Sequence, residues 1–311
     1  MKLFNKDGQG AAEIVAAVGL IANDITFDKW EPVLPFGIRD VVAIVGHEPV
    51  AALAEFYEND EIDSQKQSAL KYLQQAVAFF TWLKIIPTLD AQHDTAGRSR
   101  RLGENEKGLT ALQEFKDEEN ILRLAYEATD ALVETLEINQ FPFWVNSHKY
   151  KLRNSCLVRT KEQFDEYYSI GSYRLFITLL PIMREVQQAE LAPVLGNQIL
   201  SLLLERSQRE TDMFGDIAAR AVVLFTMQKA VERLPVEVIP DGVVQVQQSQ
   251  PVKSRLKAEQ SARMAVAASL GADARRCIER LQQLVAEYNA ESTKPVPYIG
   301  GPITHSKGLS F

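Results

Sequence analysis

The feature that most constrains the fold is a seven-residue segment, called a word below, that occurs twice in similar form. AVAFFTW stands at residues 76–82 and AVVLFTM at residues 221–227, which is 145 positions later, with Ala, Val, Phe and Thr in the same places. Two interpretations are open. Either the word is common in helix cores and recurs by chance, or the chain contains two copies of one fold.

Both words lie in patterns that are typical of amphipathic helices. The first pattern places apolar residues at helical spacing: Leu70, Leu73, Val77, Phe80 and Leu83. Ser64 and Gln67 predict a capping box at its start. Pro87 predicts its end, because proline lacks an amide hydrogen and crowds the preceding turn. The second pattern runs from Ile217 and is expected to stop before Pro235.

The parallel continues outside the two words. Leu34-Pro35 corresponds to Leu180-Pro181, and Arg39 to Val41 correspond to Arg184 to Val186. In each copy we expect the proline to open a helix, at the first turn where proline is tolerated. Gly46 corresponds to Gly196, and each is expected to close that helix. These matches favour a duplication.

A hairpin and a long helix are predicted to follow each word. The second hairpin, about 235–247, has alternating valines on either side of Pro240-Asp241-Gly242, which is a strong turn signal. The first, about 87–103, has a weaker pattern. Long helices are predicted from about Asn105 to Glu137 and from about Ser254 to Ala290. The predicted fold is therefore mainly α, with two tandem related helical bundles, each with a β-hairpin before a long C-terminal helix.

These patterns predict that the chain has four parts. They are unit 1 at residues 1–137, a joint at 138–157, unit 2 at 158–290 and an extended C-terminal arm at 291–311. The joint is rich in aromatic residues, unlike a flexible linker, and is predicted to pack between the units through Phe141, Phe143, Trp144 and Tyr150. The arm carries Tyr298, Ile299, Leu309 and Phe311. It is either a frayed terminus or a segment that docks on a neighbouring protein.

Composition narrows the classes of function. The net charge is −7, which argues against general nucleic-acid binding. No uncharged apolar stretch reaches the roughly 18 residues of a membrane helix. The two cysteines lack the spacing of a metal or redox pair, and no two of the four histidines have ligand spacing. We therefore expect no cofactor, no metal and no catalytic residues, although an enzyme with a site that leaves no local signature remains a competing class.

Three arginines at the end of the first predicted hairpin are candidates for contact with a partner. Arg98, Arg100 and Arg101 lie within four residues. Guanidinium groups grip phosphate or carboxylate groups when they converge. The competing interpretation is a solvated loop whose arginines pair with acidic residues of the same chain.

Most of the chain resembles a known family. One segment that carries the resemblance is Phe141-Pro-Phe-Trp144, with Ser147 and Tyr150. The others are Leu157 to Phe164, Tyr167, Ile170 to Tyr173, Leu179 to Pro181, Gly196 and Leu202. This pattern is similar to proteins of tailed phages and prophages, including crAss-like and related phages, that are found near capsid and portal genes.

The resemblance implies a head–tail connector, or neck, protein. Such adaptors are largely helical and typically form a twelve-fold ring beneath the portal protein, around the DNA channel, without sequence-specific DNA binding. The implied partners are further copies of the chain, the portal protein and other neck or tail proteins. The implied location is the neck of the virion, after assembly in the host cytoplasm. The alternatives are another head- or tail-completion protein, or a cytosolic helical scaffold.

Overall fold

A computed structural model describes residues 1–19, 26–59, 61–89, 91–94, 97–100, 109–234 and 260–292, and this part of the chain is mainly helical. The elements of the first half, in chain order, are α1 (Gly10–Val18), a 3-10 turn (Phe27–Lys29), α2 (Leu34–Val45), α3 (His47–Glu58), α4 (Ser64–Leu89), β1 (Ala91–Asp94), β2 (Gly97–Arg100) and α5 (Ala111–Asn139).

The joint and the second half continue the helical pattern. Their elements are α6 (Pro142–Val145), α7 (His148–Asn154), α8 (Lys161–Asp165), α9 (Tyr173–Val186), a π-helical turn (Gln187–Leu191), α10 (Ala192–Leu204), α11 (Gln208–Glu210), a second π-helical turn (Thr211–Gly215), α12 (Asp216–Arg233) and α13 (Gln260–Ser292). At about 1.5 Å per residue, α5 and α13 are roughly 44 and 50 Å long.

The first word lies in α4, and both ends of that helix differ from the prediction. The carboxylate of Asp63 accepts hydrogen bonds from the backbone N–H groups of Gln65 and Lys66, so Asp63 caps the helix where Ser64 was expected to do so. The helix also continues through Pro87 to Leu89. A proline this close to a helix end removes one hydrogen bond of the last turn, so the helix is not interrupted there. Conversely, α12 ends at Arg233, before Pro235, as expected.

The hairpin predicted over residues 87–103 is not seen at that extent, because residues 87–89 are helical. Beyond them, β1 and β2 are two antiparallel strands of four residues each, paired from Ala91 opposite Arg100 to Asp94 opposite Gly97. The hairpin predicted at about 235–247 lies outside the described residues.

The two halves repeat the same helix-breaking glycine. Gly46 separates α2 from α3, and Gly196 kinks α10, with φ of 102° and 73° and ψ of 163° and 158°. Only glycine adopts this backbone conformation at low cost. The matching proline prediction holds for Pro35, in the first turn of α2, and is wrong for Pro181. That proline lies inside α9, because Ser172 caps the helix two turns earlier by accepting the N–H of Leu175.

An ion pair also recurs in the two halves. Lys84 Nζ on α4 lies 2.6 Å from a carboxylate oxygen of Asp40 on α2. In the second half, Lys229 Nζ on α12 lies 3.2 Å from a carboxylate oxygen of Glu185 on α9. Lys229 follows Lys84, and Glu185 follows Asp40, by the same 145 positions that separate the two words. The same pair of helices is therefore joined by the same kind of contact in each unit. The two halves are copies of one helical unit, which makes the chain an internal duplication.

The core runs through both units. Ala76, Val77, Ala221 and Val222 of the two words are fully buried, where α4 packs on α2 and α5 and where α12 packs on α9 and α13. The buried apolar residues form one connected cluster from Leu3 to Leu281. Within the described ranges, no helix has the length and hydropathy to cross a membrane.

Candidate functional site

The predicted contact residues are only partly within the described structure. Arg98 and Arg100 lie on β2, where their backbones pair with His93 and Ala91 of β1. Arg101 falls outside the described residues. So do the four residues named for the arm, which are Tyr298, Ile299, Leu309 and Phe311. Whether these side chains contact a partner stays a prediction.

The four aromatic residues of the joint lie together between the units. Phe141 and Phe143 are stacked with ring centroids 5.0 Å apart, and Trp144 meets Tyr150 edge to face at 6.0 Å. Trp144 is fully buried. Helix α6 contacts α3 of unit 1, and α7 contacts α9 of unit 2. The joint is therefore a packed wedge, and its aromatic rings are part of the common core.

A buried ion pair ties α5 to the joint. Arg153 on α7 donates to the carboxylate of Glu137 near the end of α5, and its guanidinium lies 4.0 Å from the ring centroid of Tyr150. Both side chains of the pair are largely buried. Burial raises the pKa of the Glu137 carboxyl, and the positive charge of Arg153 opposes that shift. The pair fixes the direction in which the chain leaves the first long helix.

A buried glutamine connects the end of the joint to unit 2. The side-chain oxygen of Gln187 accepts the backbone N–H of Leu157 at 2.5 Å, and its amide nitrogen donates to the carbonyl oxygen of Ser155 at 3.1 Å. Gln187 is the first residue of the π-helical turn that follows α9. Both polar ends of this buried side chain are thus satisfied by the backbone of the joint.

The two units also meet directly, where α9 begins against α5. Asp130 on α5 accepts the backbone N–H of Arg174 at 2.6 Å and the hydroxyl of Ser172 at 2.9 Å. The Arg174 guanidinium lies 3.9 Å from the ring centroid of Tyr126, also on α5. Burial raises the pKa of the Asp130 carboxyl, although these hydrogen bonds and the charge of Arg174 act in the opposite direction. A side chain of unit 1 therefore accepts hydrogen bonds at the N-terminus of α9 in unit 2.

Sequence reasoning missed the polar residues that bind the joint and the two units to one another. The aromatic residues stand out because their enrichment is visible locally. Asp130, Glu137 and Gln187 lie on charged or polar helix segments, where nothing in the local pattern distinguishes a buried side chain from a solvated one. The one local signal was Ser172, a residue type that favours the N-cap position.

Large apolar side chains are exposed where both long helices begin. Leu109 and Leu112 lie at the start of α5, and Met264 and Val266 lie in the first two turns of α13. Phe36, in the first turn of α2, is 48% exposed with Arg39 over its ring. Contiguous exposed apolar surface is typical of protein contact sites, whereas a single exposed residue is not informative.

An open pocket of about 260 Å³ lies where the N-terminal segment meets α3 and α4. Inside it the Tyr57 hydroxyl donates to Glu13 at 2.8 Å and accepts the backbone N–H of Lys6 at 2.9 Å. Burial and the Glu13 carboxylate raise the pKa of Tyr57. These bonds anchor the segment before α1 to the bundle.

Two further observations concern chemistry. In the part of the chain that the structure describes, no group of three or more His, Cys, Asp or Glu side chains is placed to hold a metal ion. Cys156 is buried in the joint, where burial raises its pKa to about 11, and Cys277 is half-buried on α13.

Comparison with known proteins gives one family. No curated protein and no solved structure matches the chain. One family model, described as a family of unknown function (DUF6712), matches residues 48–154 and again residues 193–293, which together are more than half of the chain. The two matches begin 145 residues apart, the same separation as between the two words, so the family match is duplicated as the structure is. The chain belongs to this DUF6712 family.

Proposed function

We propose that the chain is a structural protein of a tailed-phage virion, a head–tail connector that forms a ring between portal and tail around the DNA channel. Its partners are then other copies of itself, the portal protein and further neck or tail proteins, and its location is the neck of the virion. The ring that the resemblance implies has twelve copies.

The observation that carries the proposal is the pair of exposed apolar sites where the long helices of both units begin. Leu109, just before α5, and Leu112, in its first turn, follow the first predicted hairpin segment. Met264 and Val266, in the first two turns of α13, follow the second. A duplicated helical unit that presents apolar side chains near the start of both long helices has two sites for protein contact. The resemblance of residues 141–202 to connector proteins supports the same conclusion.

The net negative charge of the chain suits the wall of a channel through which DNA passes. The chain is acidic overall, and a cationic wall would bind the phosphates. We therefore assign Arg98, Arg100 and Arg101 to contact with an acidic protein neighbour. Reversing their charge is expected to weaken binding to that neighbour and to leave DNA binding unchanged at its low level.

The test is to mix the purified protein with the portal protein of the same genome and to examine the mixture by sedimentation and electron microscopy. The expected result is a ring bound coaxially to the portal. A Leu112→Asp/Val266→Asp variant is expected to lose portal or self-contact while keeping its helical circular dichroism, and the exposed Lys116→Asp/Lys71→Asp variant is the control.

The alternatives give different results. A different completion protein would be present in purified virions, detected by mass spectrometry, but would not bind the portal. A cytosolic scaffold would be absent from the virions. Either result would overturn the connector proposal.

A further inference from the structure

The contact between the two units of one chain points to a counterpart surface on the second unit. Within the chain, the start of α9 covers one face of α5, through Tyr126 and Asp130. Helix α13 is the counterpart of α5 in the second unit. The question is then what covers the corresponding face of α13.

The buried residues of the two long helices give the alignment of α5 with α13, and this alignment locates the corresponding face. Ile121, Ala125 and Ala128 are buried on α5, and Ala267, Gly271 and Ala274 are buried on α13 with the same spacing. In this alignment Asp130 corresponds to Arg276, and Tyr126 corresponds to Ala272.

Among the residues that the structure describes, the corresponding face of α13 is exposed. Met264, Ala268, Ala272 and Arg276 lie four residues apart along α13. Ala272 is partly exposed and the other three are exposed, with the Arg276 side chain 75% exposed. Arg275 lies beside Arg276 and is exposed as well. The Arg276 guanidinium lies 3.1 Å from the carboxylate of Asp273. Such an ion pair at the surface contributes little to stability. This face is apolar at one end and basic at the other.

The matching surface lies on unit 1. The start of α9 that covers α5, residues 172–182, corresponds to residues 26–36 at the 146-residue separation of Leu34-Pro35 from Leu180-Pro181. Here Asp28, Glu31, Pro32, Pro35 and Phe36 are exposed. This surface is apolar at α2 and acidic before it, with Lys29 as the one exposed base in residues 26–36. It therefore complements the α13 face in both charge and apolar character.

We propose that residues 27–36 of one copy of the chain dock on the Met264 to Arg276 face of α13 in another copy. The contact repeats, between chains, the way in which α9 covers α5 within a chain. Asp28 and Glu31 lie opposite Arg275 and Arg276, and Phe36 adds apolar area. Because two different surfaces meet, the contact is heterologous, so successive copies close into a ring or extend as a filament. The proposal deepens the ring-forming function proposed above and rests on it.

The test uses a charge swap in full-length protein. Variant A is Arg275→Glu/Arg276→Glu, and variant B is Asp28→Lys/Glu31→Lys. In A alone acids face acids, and in B alone bases face bases, so each is expected to self-associate at least about tenfold more weakly than the wild type. In an equimolar mixture each contact between a copy of A and a copy of B joins opposite charges, so assembly is expected to return. Sedimentation velocity and light scattering measure all three samples.

Lys116→Glu/Arg123→Glu is the matched control, because it makes the same change in net charge as variant A at exposed positions of α5. It is expected to assemble like the wild type. The inference is overturned if A and B assemble normally, if their mixture stays dissociated, or if the wild type is monomeric at every concentration. Binding of A and B to the portal is measured in parallel, since the connector proposal fails only if that binding is absent.

Discussion

Two carboxylates and two arginines hold the units together at positions shielded from water. Glu137 pairs with Arg153, and Asp130 receives the start of α9 beside Arg174. In such places the cost of removing a charge from water is offset only while its partner is present. The residues that orient the two units are therefore also the residues whose single substitution is most damaging.

The first prediction concerns the Glu137–Arg153 pair. Arg153→Met leaves the buried carboxylate of Glu137 without its guanidinium, and Glu137→Leu leaves the guanidinium without its carboxylate. Each is expected to lower the free energy of unfolding by about 3–5 kcal/mol. The double variant is expected to lose less than either single variant, because no uncompensated charge remains. Urea unfolding followed by circular dichroism measures all four proteins, and additive losses would contradict this account.

The second prediction concerns pH and Asp130. Burial raises the pKa of this carboxyl above its ordinary value of 3.8, so the folded chain holds the proton more tightly than the unfolded chain. The contribution of Asp130 to stability therefore falls as the pH rises from about 4 through the folded pKa. Relative to Asp130→Asn, which carries no titrating group there, the wild type is expected to lose unfolding free energy over this range. Urea titrations at pH 4, 5, 6 and 7 test the sign, and a difference that is flat or grows with pH refutes it.

Sequence reasoning identifies the aromatic side chains of the joint and overlooks the charged side chains that hold the two units together. Phe141 and Trp144 stand out because several aromatic residues in a short segment have few roles other than packing. Asp130 is one acid among many on α5. Asp130 accepts hydrogen bonds at the N-terminus of α9 only because the fold brings Ser172 and Arg174, which lie 42 and 44 residues further along the chain, within hydrogen-bond distance of its carboxylate. Contacts between distant residues leave no trace in a local pattern.

At the scale of elements, the approach of α2 to α4 depends on a glycine. A Cβ atom at Gly37 would lie 2.2 Å from the Thr81 hydroxyl oxygen and 2.8 Å from the Val77 carbonyl oxygen. The Thr81 hydroxyl itself donates to that carbonyl at 2.7 Å. The two helices therefore touch backbone to side chain with no space for a methyl group.

The third prediction follows from that contact. Gly37→Ala is expected to separate α2 from α4 and to cost about 1–3 kcal/mol. Adding Thr81→Ala is expected to recover part of the loss, because it removes the nearest atom but not the Val77 carbonyl. Gly271→Ala is the comparison, since its new methyl group would meet only the movable end of Gln228. A gain of up to about 1 kcal/mol is expected there from replacing a helical glycine. Equal losses at both glycines, measured by thermal unfolding, would contradict the argument.

Helices and their repetition are predictable from this sequence, whereas their ends are less so. Apolar spacing identifies α4, α5, α12 and α13, because a long amphipathic pattern has one solution. Pro87 and Pro181 show where the rule for proline is overridden: the first lies near a helix end, and the second lies in a helix that is capped upstream at Ser172. In both cases the packing of neighbouring turns outweighs a local preference.

At the scale of the whole molecule, the two units share one core. The buried cluster passes from α4 and α5 through Trp144 and Leu157 to α9 and α12 without interruption. Duplicated units that stack in this way unfold together when the interface between them is strong relative to each unit. The joint is then the element that makes two helical bundles into one cooperative molecule.

The last prediction tests that coupling. The wild type is expected to melt in a single calorimetric transition whose calorimetric and van't Hoff enthalpies agree. Trp144→Ala opens a cavity in the joint at a cost of about 3–5 kcal/mol, and it is expected to split the transition in two, because the cost falls on the coupling between the units. Trp30→Ala removes an equally buried indole, one stacked on Trp82 inside unit 1, and is expected to lower the melting temperature without splitting the transition. A single sharp transition in Trp144→Ala, merely shifted to lower temperature, would mean that the Asp130 contact between α5 and α9 suffices to couple the units without the aromatic wedge.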